Sequence, residues 1–332
     1  MKRFGNLLKL FAGIGTGYSL SFFTWMFWQL SKADPRFTLL VPQNTAAKGL
    51  SSVQGKTTPK YTLQHVIEDG IERITYIPKD QHFETPIFMV HGMWHGAWCW
   101  EPWQKQLAEW GWESHAISLP GHGESPVQRP IRKCTLDYYL GFIRDEVNKL
   151  SCKPILLGHS MGGALTQWYL KYIGDNLPAA VFPASWVSHS IVQDGGWLML
   201  KQDPGMYPLT MLTWDASSWI RNPHKAAEKL LGPQAKISPQ DLYDRLGPES
   251  MLVAYQHSPP IWQPPENVRT PSLWLAGELD AVATVAGLQK SAHHYGGDFV
   301  IIPGAGHNLM MEHNEAETVK TIHNWLVTQE IS

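Results

Sequence analysis

The chain has 332 residues and a formal net charge of −2, from 27 basic and 29 acidic side chains. That balance excludes the basic field of a nucleic-acid binder, and the chain carries neither zinc-finger spacing nor a P-loop. Cys99, Cys134 and Cys152 are scattered and odd in number, which argues against a disulfide scaffold, while 16 Trp, 11 Tyr and 11 Phe suit a large core, an apolar pocket or a membrane-facing rim.

Residues 10–30 read LFAGIGTGYSLSFFTWMFWQL, with no charged side chain. As a helix these 21 residues extend about 30 Å, the depth of a bilayer core. Lys2, Arg3 and Lys9 precede them, and Trp25 and Trp28 lie near the far end. This is the pattern of an uncleaved single-pass anchor with its N-terminus in the cytoplasm and the body on the other side. Lys32 and Arg36 put some positive charge on the distal side as well. The alternatives are a cleaved secretory signal, giving a secreted form, and a helix that lies on the membrane or buries itself against the domain. Gly13 and Gly17 form a G-x-x-x-G pair, too weak a signal to establish a dimer. Residues 1–33 are therefore assigned to an anchor or signal-like segment, with a membrane location expected.

Residues 34–60, rich in Pro, Gly and Ser, are read as a linker. Residues 61–189 form the first part of a core, with strands expected at 71–77, 87–90, 115–119 and 155–157 and helices at 98–110, 138–150 and 163–170. The alternation loosens over 190–262, where Leu198, Met199, Met206, Met211, Trp214 and Trp219 are prominent, and this stretch is read as an inserted helical lid. It resumes over 263–332 with strands at 272–276 and 299–302 and a helix at 315–328. The whole predicts an α/β fold: a mostly parallel central sheet, flanking helices and the lid above it.

Gly158-His159-Ser160-Met161-Gly162 is a G-x-S-x-G pattern between an expected strand and an expected helix. A turn that tight pushes the serine hydroxyl out of the sheet. A serine needs a base, and the base needs an orienting acid. His307 is the expected base, in the loop Pro303-Gly304-Ala305-Gly306-His307 after strand 299–302. Asp280 is the expected acid, in Gly277-Glu278-Leu279-Asp280 after strand 272–276; Glu278 and Asp194 are its rivals. The order Ser160, Asp280, His307, at three successive strand ends, is the order this architecture requires. The backbone N–H groups of Met93 and Met161 are the candidate oxyanion donors. His91 and His95 are read as braces of the 91–95 loop, His95 also as a possible substrate contact. Trp94, His95, His159, Met199, Met206, Trp214 and Trp219 are the candidate pocket residues. No cofactor is expected. A catalytic metal is not expected either: His293 and His294 are adjacent, and His91 and His95 sit in a glycine-bearing loop without an H-E-x-x-H pattern.

Over residues 71–329 the chain resembles the α/β-hydrolase fold family, in its serine-nucleophile, esterase- and lipase-like branch. The resemblance is carried by His91-Gly92, Pro120-Gly121-His122-Gly123, the serine elbow, Gly277-Glu278-Leu279-Asp280 and Gly304-Ala305-Gly306-His307. Residues 91–100 are similar to the oxyanion-loop region of the esterase and hydroxynitrile-lyase group. The plant lyases carry a threonine where Gly92 stands and a lysine where Asn308 stands, so the resemblance favours hydrolysis over cyanohydrin cleavage. Dehalogenases and epoxide hydrolases of the family use aspartate where this chain has Ser160. The resemblance also implies that residues 190–262 shape the pocket. The expected activity is cleavage of a lipophilic carboxylic ester, a small-molecule or lipid-like substrate, through an acyl-enzyme. Thioester, lactone or amide cleavage, acyl transfer, and a noncatalytic ligand-binding role remain open at this point.

Overall fold

The centre of the sheet is built from short segments that are apolar on both faces. The computed structural model describes residues 20–40 and 49–331. Its strands are β1 Leu50–Thr57, β2 Tyr61–Glu68, β3 Ile71–Pro78, β4 Ile87–Val90, β5 Ser114–Ser118, β6 Ile155–Gly158, β7 Ala180–Pro183, β8 Ser272–Gly277 and β9 Asp298–Ile302, ordered β1-β2-β3-β5-β4-β6-β7-β8-β9 in one sheet. From β5 to β9 all pairings are parallel; β1, β2, β3 and β5 pair antiparallel. Every residue of β4 and β6 is buried, as expected for parallel strands covered by helices on both sides. The helices Glu101–Glu109 and Glu315–Thr328 pack together, as do Leu136–Val147 and Met161–Tyr172.

The strands and helices expected from the sequence recur with boundary shifts of a few residues. The structure adds β2, β7 and the helix Val285–Tyr295, and β1 lies inside the stretch read as a linker. β7 also separates β6 from β8, so the three strand ends carrying the candidate residues are not successive. Residues 190–262 contain a series of short helices, among them Ile191–Asp194, Gly196–Gln202, Met206–Thr213, Pro223–Leu230 and Leu252–Gln256. The chain therefore has the α/β-hydrolase architecture with extra helical insertions.

The expected membrane anchor is corrected. Residues 10–19 lie outside the described residues, and residues 20–30 are helical. Among the described residues no helix is long and apolar enough to cross a membrane. Phe22, Met26 and Leu30, spaced four apart, form one face, 1%, 2% and 6% exposed. They pack on Leu252 of the lid, and the Trp214 ring lies 5.8 Å from Phe22 and 4.8 Å from Trp25. Burial of each such side chain stabilises the docking by about 1.5–3 kcal/mol. A stripe that read as lipid-facing is thus satisfied by protein. The transmembrane helix, the membrane as a partner and the single-pass localisation inferred from it are not supported.

The end of the lid is fastened to the core by His257. Its Nδ1 accepts from Trp168 Nε1–H at 3.0 Å, and its Nε2–H donates to the Val187 carbonyl at 2.9 Å. Both bonds require the neutral ring, and burial pushes its pKa down to about 3. The unfolded chain protonates this residue near pH 6.5 and the folded one does not, so folding stability falls as pH drops from 6.5 towards 3. His257→Asn should be less stable than wild type at pH 7 but lose less stability between pH 7 and pH 5, by up to about 1.4 kcal/mol per pH unit. Urea unfolding at the two pH values measures this; equal losses in the two proteins would contradict it.

Candidate active site

Ser160 follows β6 by two residues and precedes the helix Met161–Tyr172. Its backbone sits at φ 53° and ψ −119°, a conformation costly for a residue with a Cβ and sustained by its surroundings. Gly162 makes the turn feasible: a Cβ there would lie 2.1 Å from the Val90 carbonyl oxygen at the end of β4. From the β7 side, Trp186 N–H donates to the Ser160 carbonyl at 3.1 Å. The Met161 N–H stands in the first turn, where an α-helix supplies no backbone partner.

The structure brings Ser160, His307 and Asp280 together. His307 Nε2 lies 2.9 Å from Ser160 Oγ, and His307 Nδ1 lies 2.8 Å from Asp280 Oδ2. Ser160 and His307 are 4% and 1% exposed. The other oxygen of Asp280 accepts from the N–H groups of Val282 and Ala283, at 2.7 and 3.0 Å, which fixes the carboxylate plane. Both rival acids are engaged elsewhere. Glu278 accepts from Gly304 N–H, while Asp194 takes the N–H and hydroxyl of Thr284.

The loop after β4 closes over the serine turn. A Cβ on Gly92 would lie 2.8 Å from both Ser160 Cβ and His159 Nδ1, so only glycine permits this approach. Three buried histidines hold nearby carbonyls. His91 Nδ1–H donates to the Gly92 carbonyl at 2.7 Å, while its Nε2 accepts from Leu119 N–H at 3.0 Å. His95 Nδ1–H donates to the Met93 carbonyl at 2.7 Å, while its Nε2 accepts from the Asn308 amide at 3.0 Å. His159 Nε2–H donates to the His307 carbonyl at 3.1 Å. Burial lowers all three pKa values, to about 4 for His95 and well below the usual range for the other two. Each is therefore neutral near pH 7, as the bonding of His91 and His95 requires. A trans peptide points its C=O and N–H in opposite directions, so holding the Gly92 carbonyl also fixes the Met93 N–H. The part played by Asn308 was not anticipated; its position directly after His307 was the available signal.

Met93 and Ser160 share a narrow apolar cavity with three of the candidate pocket residues, Trp94, Met199 and Trp219. Trp186, Ile191, Val192, Met251, Ala254, Tyr255 and Val282 complete it, none of which the sequence singled out as lining. The cavity volume is about 20 Å³, little more than one water molecule needs. Four candidate pocket residues stand outside this lining. His95 and His159 are drawn beneath the loop by the bonds just described. Met206 is fully buried within the lid, and Trp214 packs on Phe22 and Trp25. Among the described residues His65, Glu72 and Glu124 bring potential metal-ligand atoms within 4.8 Å of one another. They line no part of the cavity, and Glu72 already accepts from Ser118 Oγ and Glu124 N–H.

Comparison with known proteins agrees with this architecture. The rice protein named "Probable esterase PIR7A", from Oryza sativa subsp. indica, is 29% identical over 172 residues, which cover 50% of this chain and 62% of the rice protein. The chain thus spans less than two thirds of that relative. Among solved structures, a thermophilic esterase from Thermogutta terrifontis superposes with a TM-score of 0.55 at 19% identity, over 84% of this chain and 98% of the other. The monoacylglycerol lipase of Paleococcus ferrophilus gives the same TM-score and identity over 78% and 99%. Likeness at that identity speaks for the fold alone. A model of the Alpha/beta hydrolase family matches residues 87–321, well over half of the sequence, and the chain belongs to that family.

Proposed function

We propose that the chain is a serine hydrolase that cleaves a carboxylic ester with an apolar acyl group. The observation that carries this reading is the His307 ring, 2.9 Å from Ser160 Oγ on one side and 2.8 Å from Asp280 on the other. His307 Nε2 takes the hydroxyl proton as Ser160 Oγ attacks the ester carbonyl carbon. Negative charge collects on the carbonyl oxygen, where the N–H groups of Met93 and Met161 receive it. The tetrahedral adduct collapses, the C–O bond to the alcohol breaks, and His307 Nε2–H protonates the leaving oxygen. Water then attacks the acyl-enzyme, giving its proton to Nε2; collapse releases the carboxylic acid and returns the proton to Ser160. Asp280 holds the ring in the Nδ1–H tautomer and stays ionised throughout.

Two further features support the reading. The cavity beside Ser160 is walled by Trp, Met and aliphatic side chains, which suits an apolar acyl group. The Asn308 amide, occupied by His95 Nε2 and Met311 Sδ, puts no cation beside the base.

Ser160→Ala and His307→Ala should each lower turnover of a short aryl ester by at least about 10⁴-fold, with unchanged circular dichroism. Ser160→Ala should also abolish labelling by a fluorophosphonate; persistent labelling or turnover would refute the assignment. Gly92→Thr should slow turnover by about 100-fold, through displacement of the Met93 N–H from the oxyanion. Steady-state kinetics with a thermal melt separates that effect from unfolding, and near-normal kcat in the folded variant would remove Met93 from the mechanism.

A further inference from the structure

The cavity leaves an acyl chain almost no room unless a wall recedes, and one wall is backed by a segment far away in sequence. Met251, Ala254 and Tyr255 line the cavity from the short helix Leu252–Gln256 and the residue before it. Leu252 on the same helix is completely buried against Phe22, Met26 and Leu30 of the 20–30 helix. Tyr255 belongs to both groups, lining the cavity and packing on the Phe22–Leu30 cluster. The Leu252–Gln256 helix therefore stands between the cavity and the 20–30 helix, and at Tyr255 one side chain reaches both. On the helix's other side Leu20, Phe27 and Trp28 are 71%, 62% and 54% exposed.

Polar contacts fix the two helices to the core at one point. The Gln256 amide N–H group donates to the Ala33 carbonyl at 3.2 Å and to Asp137 Oδ1 at 2.9 Å, and its oxygen accepts from Leu136 N–H at 2.6 Å. Thr38 Oγ1–H donates to Asp137 Oδ2 at 2.5 Å. The lid helix, the N-terminal segment and the helix Leu136–Val147 meet at these groups, and Trp214 grips the 20–30 helix from the other part of the lid.

We infer that the 20–30 helix determines acyl-chain specificity: it braces the Leu252–Gln256 helix, limits how far the wall at Met251, Ala254 and Tyr255 recedes, and so sets the longest chain accepted beside Ser160. This inference rests on the ester-cleaving reading of the site. An outer brace acts on long chains and leaves short ones untouched, because only a long chain has to displace the wall. A methylene that must be forced into a packed pocket changes reaction rates by roughly tenfold or more.

The test uses the full chain and two fluorophosphonates, one with an ethyl and one with a dodecyl chain. The quantity read is the ratio of their rate constants for labelling Ser160, dodecyl over ethyl. Met26→Ala removes the brace at its centre, and Trp214→Ala removes it from the lid side should the first variant fail to fold. Phe27→Ala, on the exposed face, is the control. The ratio should rise roughly tenfold in Met26→Ala or Trp214→Ala and stay at the wild-type value in Phe27→Ala. An unchanged ratio in a cooperatively folded brace variant, or an equal rise in the control, overturns the inference while leaving the ester-cleaving reading standing. Absence of labelling of the wild-type protein by either probe overturns both.

Discussion

β4 and β6 run parallel and end side by side, and the loops that leave them touch at a distance no side chain tolerates. Gly92 over Ser160, and Gly162 under the Val90 carbonyl, are the points of contact. This approach forces Ser160 into positive φ, turns its hydroxyl towards His307, and sets the Met93 loop on the same cavity. The strain is local, and the buried central strands on either side of it supply the rigidity that sustains it. Asp280 and His307 come from β8 and β9, beyond β7, so the sheet's twist and spacing decide whether the imidazole reaches the serine.

Buried histidines form a supporting frame beneath the site. His91, His95 and His159 hold the carbonyls of Gly92, Met93 and His307, two in the oxyanion-loop candidate and one on the candidate base itself. They work as neutral donors because burial disfavours their charged forms. A charged ring at His95 would turn its Nε2 from an acceptor into a second donor facing the Asn308 amide, and the bond that joins the two loops would be lost.

Much of this was legible in the sequence. Ile87–Val90 and Ile155–Gly158 are uniform apolar runs ended by glycine-bearing turns, which is how a strand buried on both faces appears, and each delivers a candidate residue. The same logic singled out Asp280 and His307 as candidates. β1 was hidden because Leu50–Thr57 is polar and glycine-containing; it is ordered by antiparallel pairing with β2, a long-range contact that no local pattern announces. The membrane reading of residues 10–30 failed for a related reason. Apolar length reports that a segment seeks burial without reporting where, and for Phe22, Met26 and Leu30 the destination was Leu252, far along the chain. His159 looked like a pocket residue for want of any sign that a backbone carbonyl would claim it, whereas His95 was read both as a brace of its loop and as a substrate contact, and its ring bonds the Met93 carbonyl and the Asn308 amide. The lid's lining was only partly readable, because its short helices carry apolar side chains on several faces.

That distance along the chain has a consequence for biosynthesis. At a ribosomal speed of roughly 5–20 residues per second, some 10–50 s separate the emergence of Phe22 from that of Leu252. During that interval the greasy face of the N-terminal helix exists without its native receptor, next to a half-built sheet that cannot yet cover it. From the synthesis of Phe22 until that of Leu252, the nascent polypeptide thus carries an apolar helix face whose native cover does not yet exist.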